Sequence, residues 1–264
     1  MIPMMVTIFF LSLFGGLCSG VLGVGGAVVL IPLMYSVPPL VGAGALTMNQ
    51  VAGLTMIQVL ASAITGWIAH RKGGFTHTRT IFFIGIPLGV CSLLGAVFSR
   101  FMPGDALTLV FGVVVLVALL LLLQSADARA KGNDDAARFH FHPGRFILTG
   151  GIVGLASGIL GAGGGFVLIP AMIRILKLPV RMAVGSSLGI IFIGALAGSV
   201  GKIVTLQVEW IYVPSLLLGA IPASLIGSRL SHRLPAAHLR TMLMVLIGVI
   251  LIKTWAEILL KYIG

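Results

Sequence analysis

Two stretches of this chain hold their glycines and small polar residues in one pattern. They read "GLCSGVLGVGGAVVLIP" from Gly16 to Pro32 and "GLASGILGAGGGFVLIP" from Gly154 to Pro170. Twelve of the 17 positions are identical, and the copies lie 138 residues apart. A glycine cluster lets a ligand come close to the backbone, because no Cβ keeps it away. Where such a cluster opens a helix, free N–H groups and a partial positive charge attract an anion without any lysine. The expected donors are Ser19, Gly23, Gly25 and Gly26 in the first copy. In the second they are Ser157, Gly161, Gly163, Gly164 and Gly165. The pairs Gly16–Gly20 and Gly154–Gly158 equally suit close packing of two helices, and the sequence leaves both uses open. A dinucleotide fingerprint would need a strand–helix unit around it. A Walker loop would need Gly-Lys-Ser/Thr, which neither copy has.

The stretch after each copy carries further polar residues. "LTMNQVAG" contributes Thr47, Asn49 and Gln50, followed by Thr55, Gln58, Ser62 and Thr65. "GSSLG" contributes Ser186 and Ser187, followed by Ser199. Amides in an apolar helix face the protein interior, as substrate contacts or as links between helices. Asn49 and Gln50 diverge by about 100° on a helix, so one of them, preferably Asn49, is expected to face a substrate. His70, Arg71, Lys72, His77 and Arg79 form a basic mouth that would draw an anion in; they also fit the ordinary surplus of cytoplasmic cations.

The acids lie elsewhere. Asp127, Asp134 and Asp135 fall in one polar stretch, Asp105 and Glu209 at the starts of apolar segments, and Glu257 near the C-terminus. With no carboxylate deep in a span, a cation site or acidic proton relay is disfavoured, and an anionic or neutral substrate fits better. Cys18 and Cys91 are too few for a disulfide framework and wrongly spaced for zinc. Cys18 stands where the second copy has Ala156 and reads as a small packing residue. No metal, no cofactor, no nucleophile–base pair and hence no enzyme is expected.

The elements that must hold these residues are membrane helices. Of 264 residues, 58% are hydrophobic and 9% charged, with mean hydropathy +1.16; a soluble domain carries about 25% charged residues. Eight apolar segments run over 2–35, 42–69, 80–99, 105–124, 146–176, 183–203, 210–229 and 241–260. The opening "MIPMMVTIFFLSLFGG" lacks the basic start of a signal peptide and is expected to be retained. "SADARAKGNDDAARFHFHP" is the one stretch of linker composition. It divides the chain into a first repeat at 1–124, a cytoplasmic linker at 125–145 and a second repeat at 146–264. As one straight helix, the first or fifth segment would reach about 50 Å, against a hydrocarbon core of about 30 Å. Each is therefore expected to break at its glycines into a hairpin, with Pro32 and Pro170 helping to end the returning half-helix.

The net charge of +11 tests this layout. If the first and fifth segments each enter and leave on one side, thirteen basic residues gather on one face. Arg100, Lys202 and Lys261 stay on the other, and Lys253 lies within the last helix. That asymmetry orients the protein by the positive-inside rule. The expected fold is an all-α polytopic membrane protein of two inverted repeats. Each repeat is a glycine-broken helical hairpin followed by three transmembrane helices. Both termini lie outside, and the glycine tips approach each other near the midplane, a plan common among secondary transporters. The bilayer and a small anion are the expected partners. Nucleic acid is not, since the basic residues are scattered over short loops.

On the paired "GxxSGxLGxGG" and "LIP" motifs and the duplicated layout, the chain resembles the sulfite exporter TauE/SafE family, also called the toluene sulfonate uptake permeases. The resemblance covers essentially the whole chain. It implies a multi-pass transporter of the bacterial cytoplasmic membrane. It also implies substrates that are small sulfur-containing anions or carboxylates, such as sulfite, sulfonates, sulfoacetate or thiosulfate. It does not imply a direction of transport.

Overall fold

A computed structural model describes residues 1–71, 78–130, 142–178, 180–231 and 236–263. Among these residues the regular structure is helical. The helices are α1 (Ile2–Leu22), α2 (Ala27–Leu40), α3 (Met48–Arg71), α4 (Thr78–Phe98), α5 (Gly104–Ala130), α6 (Pro143–Leu160), α7 (Gly165–Arg174), α8 (Val180–Val204), α9 (Val213–Ser231) and α10 (Ala236–Ile263). Six helical stretches are long and apolar enough to cross a membrane: Ile2–Leu22, Thr78–Phe101, Gly104–Leu123, Pro143–Leu160, Gly185–Val204 and Trp210–Ser231. Their outward faces expose Phe10, Phe98, Val117, Leu148 and Leu218, side chains that lipid solvates and water does not.

Among the described residues the eight apolar segments become ten α-helices, because the first and fifth each break in two. The glycines make the break. Gly23 takes a left-handed conformation at φ +69° and donates its N–H to the Ser19 carbonyl at 2.8 Å, which closes the end of α1. Gly161 does the same for α6 at φ +72°, on the Ser157 carbonyl. Any other L-residue there costs about 1–2 kcal/mol for its Cβ alone. The chain then reverses into α2 and α7.

Pro32 and Pro170 do not end these returning helices. Pro32 lies inside α2, which runs on to Leu40, and Pro170 lies inside α7, which runs on to Arg174. Proline forfeits one backbone hydrogen bond, but its fixed φ suits a helix. Its neighbours then carry the turn onward: the Pro32 carbonyl accepts from Ser36 Oγ at 2.7 Å and from Lys253 Nζ at 3.1 Å. The fourth segment is also longer than expected, since α5 reaches Ala130. The linker lies largely outside the described residues.

The glycine-spaced faces pack the two halves of the chain together. On α1, Gly16 meets the backbone of Ala220, and Gly20 meets that of Ser224 on α9. On α6, Gly150, Gly154 and Gly158 meet Ile84, Leu88 and Ser92 of α4 in the same order. Both pairs run parallel, at separations that only glycine allows. The first hairpin thus rests on the second half, and the second hairpin on the first half. The helices that follow the hairpins run antiparallel: on α3, Gly53 abuts the Gln207 carbonyl just beyond α8, while Gly66 abuts Leu188 near the start of α8.

Candidate functional site

Both glycine turns converge on the middle of the α3–α8 pair. A Cβ built on Gly25 would stand 3.0 Å from Val59 and 3.7 Å from Ile191, and one on Gly163 would overlap Val59 and touch Ile191 at 3.4 Å. Gly165 abuts the Val24 carbonyl, so the turns touch. They do not meet end to end. The apex carbonyl of Gly23 accepts from Ser187 Oγ at 3.2 Å, and that of Gly161 accepts from Thr55 Oγ1 at 3.0 Å. Ser187 and Thr55 each precede Ile191 and Val59 by one turn on antiparallel helices. The apices therefore pass one another in opposite directions, each held by a hydroxyl from the far half.

Beside the turns lie the starts of the two half-helices. Gly26 at φ +72° precedes α2, Gly164 at φ +75° precedes α7, and neither start has a side-chain cap. Ser19 and Ser157 face these starts. A Cβ built on Gly26 would stand 3.1 Å from the Ser19 Cβ, and one built on Gly164 would stand 3.3 Å from the Ser157 Cβ and 3.4 Å from its Oγ. Both serines are buried, and neither hydroxyl has a hydrogen-bond partner. Buried polar groups in folded proteins are nearly always paired. Each start therefore sets an orphaned hydroxyl beside free backbone N–H groups, and the two touching turns with their starts are here called the cradle. The half-helices are pinned from outside the cradle. Lys253 of α10 donates to Ser36 Oγ at 2.8 Å, and Phe111 of α5 packs on Phe166 of α7 with centroids 6.4 Å apart.

The cradle collects Ser19, Gly23, Gly25, Gly26, Ser157, Gly161, Gly163, Gly164, Gly165 and Ser187; Ser186 is buried on the adjoining stretch of α8. Asn49 and Gln50 are not brought there. They stand at the start of α3, ten and nine residues before Val59, or about 15 Å along the axis. Asn49 Nδ2 donates to the Ser99 carbonyl at 3.4 Å, and Gln50 Nε2 donates to Glu209 Oε1 at 2.7 Å. The side chains of His70 and Arg71 lie outside the described residues.

Two residues stand out that the sequence reading had placed differently. Gln58 belongs to the polar series along α3 but not to the expected donor set. It is fully buried directly before Val59, and neither of its amide atoms has a partner. Its position halfway along an apolar helix was the available signal. Lys202, expected as a loop charge, is fully buried near the end of α8. Its Nζ donates to Ser99 Oγ at 2.6 Å, Gln207 Oε1 at 2.9 Å and the Ile159 carbonyl at 3.2 Å. The chain turns sharply after α8, with Leu206 at φ +57°, and this folds Gln207 back over the lysine. Ser99 and the Gln207 amide give their own hydrogens to the Ala96 carbonyl, so all three groups facing Nζ act as acceptors.

The family model of the sulfite exporter TauE/SafE matches residues 8–254. The chain belongs to the TauE/SafE family. TauE/SafE proteins are membrane transporters, not enzymes, and this one is a multi-pass member. A relative in Xylella fastidiosa (strain Temecula1), named "Probable membrane transporter protein", is 29% identical over 91% of both chains. "Probable membrane transporter protein YunE" of Bacillus subtilis is 26% identical over 87% of this chain and 89% of its own. "Probable membrane transporter protein MJ0441" of Methanocaldococcus jannaschii is 25% identical over 94% of this chain and 93% of its own. No solved structure matches the TauE/SafE chain described here.

Proposed function

We propose that this protein is a secondary transporter of small sulfur-containing anions, such as sulfite, sulfonates, sulfoacetate or thiosulfate, in the bacterial cytoplasmic membrane. The observation that carries this is the pair of uncapped half-helix starts, each with a buried, unpartnered serine, at the touching turns. Helix starts present free N–H groups and partial positive charge, and an anion completes the hydrogen bonding of Ser19 and Ser157. Neutral donors hold an anion without the tight ion pair that would slow its release.

The two halves are read as inverted repeats around this site. Two findings support that reading: α3 and α8 run antiparallel, and each hairpin packs on the opposite half; under this layout the basic residues also gather on one side. Burial of Lys202 removes it from the loop charges and leaves thirteen against two. Both termini then lie outside, the anion enters from the cytoplasm past His70 and Arg71, and alternating access moves the scaffold around the turns.

Purified protein in liposomes tests this. Counterflow of radiolabelled sulfite or sulfoacetate should be saturable and accelerated by unlabelled substrate on the far side. Uptake without trans-stimulation would mean a passive anion channel, and no uptake of either anion would reject the substrate class.

A further inference from the structure

Gln58 sits at the first turn and is the least satisfied side chain there. It is fully buried. A Cβ on Gly15 would stand 3.0 Å from its Nε2, and the Gly15 carbonyl abuts Gly26, the residue that starts α2. Ser19 lies one turn along α1 from Gly15 and faces the same glycine. Ser62 lies one turn along α3 from Gln58, and its hydroxyl is likewise buried and unpartnered. The amide thus lies beside the residue whose carbonyl packs on the half-helix start, with both of its polar atoms unmade. An apolar side chain of similar volume would remove that penalty outright. The second half does so: the residue before Ile191 is Ile190.

An amide presents a donor and an acceptor together. A fully deprotonated oxyanion satisfies the donors of the site, namely Nε2, the serine hydroxyls and the helix N–H groups. It leaves Oε1 bare. A ligand that satisfies the whole set must bring a hydrogen of its own beside its charged oxygens, as a hydroxyl, an ammonium or a proton kept on the oxyanion. We propose that Gln58 is the specificity-determining residue of the site, selecting small anions that carry a hydrogen-bond donor next to the anionic group. This rests on reading the first turn as the anion site.

Ethanesulfonate and 2-hydroxyethanesulfonate differ by one hydroxyl and serve as the probes. The wild-type protein in detergent should bind the hydroxylated anion about tenfold or more tightly, as one buried hydrogen bond allows. Gln58→Leu and Gln58→Met should bind the two probes within about threefold of each other, both more weakly than the wild type because the Nε2 donor is lost along with the Oε1 acceptor, and should melt at or above wild type, since a buried orphan is removed. Equal binding of the two probes by the wild type, or a preserved preference in either variant, overturns the assignment of Gln58 and leaves the anion site standing. Binding of neither probe by the wild type overturns both.

Discussion

At the scale of single residues, the glycines of the two motifs separate into those that need space and those that need an angle. Gly161 needs both: its φ is +72°, and a Cβ would strike the backbone of Ala52. Gly25 needs mainly the angle, since its nearest neighbour is a Val59 methyl that can shift. Gly161→Ala should therefore lower stability by roughly 3 kcal/mol or more, adding backbone overlap to strain. Gly25→Ala should cost only about 1–2 kcal/mol and yield inserted protein with impaired uptake. Detergent melts beside liposome uptake check both, and equal melting of the two variants would defeat the distinction. Lys202 sits where three acceptors converge, so Lys202→Met should cost roughly 2–5 kcal/mol by leaving them unmade. An unchanged melting temperature would show that the cage relaxes without its cation. That the glycines and serines would stand at two equivalent turns was legible in the sequence, because one motif occurs twice at matching places. The Lys202 cage was not, because its acceptors Ser99, Ile159 and Gln207 meet only through tertiary packing.

At the scale of elements, the breaks in the first and fifth segments were readable from length and glycine content alone. How deep each hairpin reaches was not. No local signal says that Gly23 passes the middle to meet Ser187, or that Gly161 passes it to meet Thr55, because those partners come from the opposite half. The same blindness made Pro32 look like a stop, when a lysine from α10 supports its turn. Thr55→Val keeps the shape and removes the hydroxyl on the second apex, and Ser187→Ala does so at the first. Each should cost about 0.5–1.5 kcal/mol. Thr55 sits toward the lower end, because its hydroxyl also reaches the Val51 carbonyl at 2.9 Å. Urea or thermal titration of both single variants measures this, and stability equal to wild type in both would mean that packing alone seats the apices.

At the scale of the whole molecule, the orientation in the membrane is open to a direct test. Cysteines placed at Asp134 and Lys177 should resist an impermeant thiol reagent added outside intact cells, and one placed at Gly264 should react. Reaction at Lys177 with protection at Asp134, or the reverse, would put the two halves in the same orientation. The crossed packing of the hairpins also fixes an order of events in biosynthesis. The ribosome delivers α1 first, yet its glycine face closes only on α9, which emerges some 200 residues later. At about 5–20 residues per second, that face waits on the order of ten seconds or more without its partner. During that interval the nascent chain holds an apolar, glycine-lined stripe open to lipid or to any neighbouring helix. The second hairpin faces no such delay, because α4 is already in place when α6 arrives. The second hairpin can thus settle before the first, and the glycine face of α1, translated first, closes only when α9 arrives.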